Sequence, residues 1–241
     1  MNYIGWTMRN VNKIGSKMKS GATLIPDKVI NKLQKTMHSI LLGVIKANLL
    51  TIKKNKKLSK PSNKAYKAIV TGTGALSGFF GSATGIGTAI FTSEPTVTTK
   101  FLMRTIMDLA RSEGEDIYSV EGQMTCLEVF APGGESKEDD GLETSYYTTR
   151  VALSSALQNV TAQGINSFIS KIVTRWGIQV TEKFVITAVP ILGAVGGGTI
   201  NYIFVNHFQN MATAHFTIKR LERKFDITNI QEVFNNIKVS I

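Results

Sequence analysis

Between Lys183 and His207 the chain carries no charged side chain. A run of that length constrains the fold more than any other feature, because about 20 predominantly apolar residues suffice to cross a bilayer. Residues 184–205 hold eleven Leu, Ile, Val or Phe. At roughly −0.3 to −0.6 kcal/mol each on an insertion scale they total about −5 kcal/mol. Pro190, Gly193, the Gly196-Gly197-Gly198 run, Asn201 and Tyr202 work against that total. The sequence therefore favours two core helices in close contact at their glycines, a buried hairpin. A true span and a segment that inserts only conditionally are the alternatives.

The rest of the chain reads as helix. Pro26 and Asp27 open an amphipathic segment with Val29, Leu33, Met37, Ile40, Leu41, Val44 and Ile45 on one stripe. Residues 65–93 have no charge after Lys67, and Gly74/Gly78 and Gly81/Gly85 are spaced four apart, so each pair shares a helix face. Glu94 and Pro95 punctuate. Further helices are predicted over 97–114, 117–134, 144–176, 178–189, 191–225 and 229–238, with interruptions at Pro190, the triple glycine and Asp226. Residues 135–143 form an acidic loop without calcium-loop spacing. No segment alternates as a strand does, so the fold class is all-α. The expected layout is a basic arm and amphipathic helix over 1–60, then one multi-helix domain over 61–241 with glycine-rich packed helical hairpins.

Charge is placed unevenly. Residues 1–93 carry 15 Lys/Arg and a single acid, Asp27, a net charge of +14. Residues 94–241 carry 13 Lys/Arg against 16 Asp/Glu, a net charge of −3. The densest cluster is Lys53, Lys54, Lys56, Lys57, Lys60, Lys64 and Lys67. Such asymmetry points to an anionic partner. Lysines alone, without arginines and interleaved aromatics, argue against nucleic acid and for a membrane surface. The preceding amphipathic helix and Trp6 would supply apolar anchors. Cys126 is the single cysteine, which excludes an internal disulfide and suits a reducing cytoplasm. The N-terminus has no apolar run of the kind a secretory signal needs.

Several motifs stand out together: the glycine-rich segment 72–87, KFLMRTIMDLARSEGED (100–116), YYTTR (146–150) and TRWGIQVTEKFVITAVPILGAVGGGTINYIFVNHFQNMATAHFTIKRLERKF (174–225). In these the chain resembles the bacterial EcsC family over roughly residues 60–225. The last stretch is the most specific, with Pro190, Gly193, Gly196, Gly197 and Asn201 followed by His207, Met211, His215 and Arg220-Leu221-Glu222-Arg223. The family takes its name from a protein encoded beside an ABC exporter's subunits, and the resemblance implies no established activity. One departure is TSEPTV, where members carry an Asp-containing stretch; Glu94 is the substitute there.

The candidate polar residues are few. His207, Met211 and His215 share a helix face at i, i+4 and i+8. The two histidines then lie about 12 Å apart along the axis, too far for one metal with ligands at about 2 Å. Arg104 and Asp108, at i and i+4 on a largely apolar helix, form an ion pair that needs further partners if buried. Arg150, Asn201 and Arg220 are the residues expected to complete a polar network. Three functions follow. The leading one is a cytoplasmic accessory protein, peripheral at the inner face of the cell membrane, binding anionic lipid or a membrane partner through its lysines without a cofactor or metal. The alternatives are a lipid-acting hydrolase with a pocket of His207, His215, Arg104 and Asp108, and a membrane-inserting helical protein. No nucleotide-binding or hydrolase motif is present, so the non-enzymatic reading is favoured.

Overall fold

The computed structural model describes residues 27–53, 63–80, 85–131, 150, 164–173, 176 and 190–239. Among the described residues the main helices are α1 (Asp27–Thr51), α2 (Asn63–Phe80), α3 (Gly85–Ser112), α4 (Val120–Glu128), α5 (Pro190–Lys224) and α6 (Ile227–Val239). Residues 164–173 are also helical, and no strand occurs among the described residues. The fold is all-α, as the periodicity predicts. The arm before residue 27, the acidic loop at 135–143 and the first half of the expected hairpin, 178–189, lie outside the described residues.

α3 is the central helix. Leu102, Met103, Ile106, Met107, Leu109 and Ala110 are buried on one side and Thr99, Thr105 and Asp108 on the others, so it is enclosed nearly all round, with an apolar face and a buried polar one. It packs against α1, α2, α4 and α5. α1 faces it with Met37, Leu41, Val44 and Ile45 buried and Lys46 outward, the stripe that the sequence marks. On the other side lies an aromatic cluster. Trp176 sits 4.3 Å from Phe130 and 5.0 Å, edge-on, from Phe208, between ring centroids. Phe204 closes the group at 5.5 Å from Trp176. Tilted and edge-on contacts of this kind suit the ring quadrupoles and anchor α5 to the end of α4.

Among the described residues, two glycine-bearing helices, α2 and α5, make the most extensive pairing. Two expected breaks do not occur. α5 runs unbroken from Pro190 to Lys224 through the triple glycine, so this stretch is one helix. Pro190 starts it, at the position where a missing N–H costs nothing. The penalty of about 1 kcal/mol per helical glycine is a propensity that packing overrides. α3 likewise begins at Gly85 and passes through Glu94-Pro95, although an interior proline removes a backbone hydrogen bond.

The turn after α3 is fixed by backbone geometry. Gly114 has φ +90. Its N–H donates to Arg111 O at 3.2 Å, and that of Glu115 to Ala110 O at 2.9 Å, the paired bonds of a Schellman ending. α4 then starts late, at Val120 rather than 117, because Ser119 caps it by accepting from Gly122 N at 3.0 Å. A Cβ on Gly122 would stand 1.9 Å from Asp116 O, whereas one on Gly72 would meet nothing within 4 Å. Gly122→Ala is therefore expected to lower stability by about 1–3 kcal/mol, and Gly72→Ala to raise it by about 1 kcal/mol. Urea unfolding of the two variants checks both signs.

Candidate functional site

The polar side chains of the core fall into two clusters. The first surrounds Asp108, which is 4% exposed. Its carboxylate accepts from Tyr66 Oη at 2.6 Å and Arg104 Nε at 3.3 Å, and Arg111 Nη1 lies 3.5 Å from the other oxygen. The same arginines reach the end of α1: Arg104 Nη1 donates to Thr51 Oγ1 at 2.7 Å and Arg111 Nη2 to Lys53 O at 3.3 Å. Tyr118 Oη adds a bond to Ile52 O at 3.1 Å. α1 has no basic residue in its own last turn, so α3 supplies the positive groups that a helix C-terminus attracts. Asp108 is thus the hinge pin between the end of α1 and the start of α2.

Burial first, and then Asp108, push the Tyr66 phenol up to about 12. A raised phenol contributes stability that is complete below its ordinary value of 10.0 and lost as pH rises through about 12. Tyr66→Phe is expected to cost about 1.5–3 kcal/mol near neutrality, as for a bond to a charged acceptor, and to flatten the alkaline limb of an unfolding profile measured by circular dichroism.

The second cluster joins α4 to α5. His215 Nε2 lies 3.4 Å from Glu128 Oε2, with both side chains under a tenth exposed. That is longer than a good hydrogen bond. Burial drives the His215 imidazole well down, helped by Arg150 and Lys219 and opposed by a hydrogen bond at the Thr125 backbone. Burial also raises Glu128, against the pull of Lys219 and Arg150. Both shifts favour a neutral pair. Lys219 Nζ donates to Thr125 Oγ1 at 3.3 Å. Arg150 grips Glu222 with both guanidinium nitrogens at 2.7 and 2.9 Å, the strong two-pronged geometry.

Arg104 and Asp108 thus come together as their spacing predicts. Neither histidine joins them: among the described residues no hydrogen bond or ion pair links His207 or His215 to that pair. His207 packs edge-on to Phe208 with ring centroids 5.0 Å apart, and burial lowers it to about 4. A general acid or base has to reach its substrate, and the Glu128–His215 pair is enclosed. No group of three or more metal-binding side chains occurs among the described residues. The Cys126 thiol is buried and pushed up by that burial.

Arg150, Asn201 and Arg220 serve three separate contacts. Asn201 Nδ2 donates to Val70 O at 2.7 Å, tying α5 to α2. Arg220 Nε donates to Glu113 at 2.5 Å, and Arg223 binds Glu115 and Glu113 O, so the end of α5 is held on the turn after α3. Of the lysines, Lys53 and Lys64 are exposed, while Lys54, Lys56, Lys57 and Lys60 lie outside the described residues. Lys67 is engaged by α5: it donates to Asn206 Oδ1, stands over the Tyr202 ring at 5.5 Å, and burial lowers its pKa. Of the apolar stripe of α1, Met37, Leu41, Val44 and Ile45 are also occupied, being buried in the core. Tyr66, Arg111, Glu128 and Lys219 were not legible as partners. Glu128 alone carried a signal, a single acid within the apolar run CLEVF.

An all-α body built around one buried helix, its polar side chains joining helix to helix, is the class that fold and clusters define. The chain belongs to the EcsC protein family, whose profile matches residues 8–221. That match begins well upstream of the region the motifs mark and takes in α1. No curated protein and no solved structure matches the chain.

Proposed function

We propose that this protein is a peripheral accessory protein at the cytoplasmic face of the cell membrane, binding anionic lipid through the lysine-rich segment between α1 and α2. The observation that carries the reading is electrostatic: no acidic residue interrupts the chain between Asp27 and Glu94. The ends of the segment support it. Arg111 holds Lys53 O on one side, and Gln209 Nε2 holds Asn63 O at 3.0 Å on the other. Lysines brought near an anionic surface add their attractions at about 1 kcal/mol each. No helix among the described residues is long and apolar enough to cross a membrane, and the reading requires none.

Co-sedimentation with vesicles tests it. Binding is expected to phosphatidylglycerol vesicles at low salt, with release as added salt shortens the screening length to about 3 Å near 1 M. Equal, negligible binding to phosphatidylglycerol and phosphatidylcholine vesicles rejects the reading.

A further inference from the structure

The Arg104–Asp108 pair brings the end of α1 and the start of α2 to one place, because Arg104 holds Thr51 and Asp108 holds Tyr66. Two aliphatic side chains stand outward there. Leu50 is 88% exposed and Ile69 is 42% exposed. On α1, Leu50 lies one turn from Lys46 and close to Lys53, and both lysines are exposed. On α2, Ile69 shares its outward face with Lys64, Ala65, Ala68 and Gly72, all exposed. Space above Gly72 is open even to a Cβ.

An aliphatic tip ringed by lysines, on a segment without acids, is matched by an anionic bilayer. The side chain reaches toward the acyl boundary while the lysine stems lie along it and their ammonium groups stay with the phosphates. A protein partner would be met instead by aromatic and arginine anchors that can pack against it; the arginines beside Lys53, Arg104 and Arg111, are bound to Thr51, to Lys53 O and to Asp108. Resting on the membrane reading above, we propose that Leu50 and Ile69 are the residues that enter the headgroup layer of an anionic bilayer, with Lys46, Lys53 and Lys64 binding its phosphates beside them.

Single cysteines placed at Leu50, Ile69 and, for comparison, the exposed Val233 of α6 can carry an environment-sensitive thiol dye, since Cys126 is 1% exposed. With phosphatidylglycerol vesicles, the dyes at 50 and 69 are expected to shift to the blue and brighten, and the dye at 233 to stay unchanged. The double variant Leu50→Ser, Ile69→Ser is expected to bind these vesicles about a hundredfold more weakly at low salt. If the wild-type chain sediments with the vesicles while both dyes remain in water, or the double variant binds as well as wild type, the insertion edge is wrong and the electrostatic reading stands. An equal response at 233 also overturns the assignment. Absence of any wild-type binding removes the membrane reading itself.

Discussion

Replacing Lys54, Lys56, Lys57 and Lys60 together with glutamine is expected to weaken binding to phosphatidylglycerol vesicles by about a thousandfold, because four lysines at about 1 kcal/mol each total about 4 kcal/mol. The loss should appear in co-sedimentation at low salt and shrink as salt rises, since the same interactions are screened in both proteins. Thermal stability, followed in the same variant, separates a loss of surface charge from a loss of fold. Lys67→Gln separates the two roles that one lysine can have. Its ammonium is committed to Asn206 and the Tyr202 ring, so this change is expected to loosen α2 against α5 and to leave vesicle affinity near wild type. A uniform loss per lysine, Lys67 included, would mean that net charge alone governs binding and that the segment between α1 and α2 has no special place. An unchanged affinity in the fourfold variant would remove the lysines from the function.

What the sequence disclosed, and what it hid, divides along the range of the physics. Periodicity is local, and it located the buried stripe of α1 at Met37, Leu41, Val44 and Ile45 and the apolar body of α3. Gly114 was visible as a helix end because its left-handed backbone is a local demand of that turn. The Arg104–Asp108 pair was legible from a spacing of four. Its completion by Tyr66, 42 residues away, was not. Nor could any spacing show that His215 faces Glu128 rather than Asp108, since the choice is made by how α5 rotates against α4. The triple glycine and Pro95 misled for the opposite reason: their local cost is real, and contacts from distant helices outweigh it. Lys67 was grouped with its neighbours by charge, although one turn of helix directs it to α5 and leaves Lys64 in water.

Stability is expected to fall steeply as pH drops from 6.5 toward 4, and two buried histidines set the direction. Both have folded pKa values depressed by burial, His207 to about 4 and His215 well below its ordinary value of 6.5. Above 6.5 the folded and unfolded chains are both neutral at these sites. Below it the unfolded chain takes up protons that the folded chain refuses, so stability drains away until the folded value is passed. Each histidine supplies a slope of about 1.4 kcal/mol per pH unit, and His207 alone about 3 kcal/mol by pH 4. Glu128 acts oppositely. Burial raises it, with Glu115 and Glu222 adding to the shift and Lys219 and Arg150 opposing it. Its protonation therefore favours the folded state as pH falls. Where Glu128 titrates it offsets part of the slope that the two histidines set. Urea unfolding across this range should give a shallower slope than wild type for His207→Leu and a steeper one for Glu128→Gln. A profile that neither substitution alters would mean that these groups change protonation freely in the folded protein, and that the second cluster is open to water.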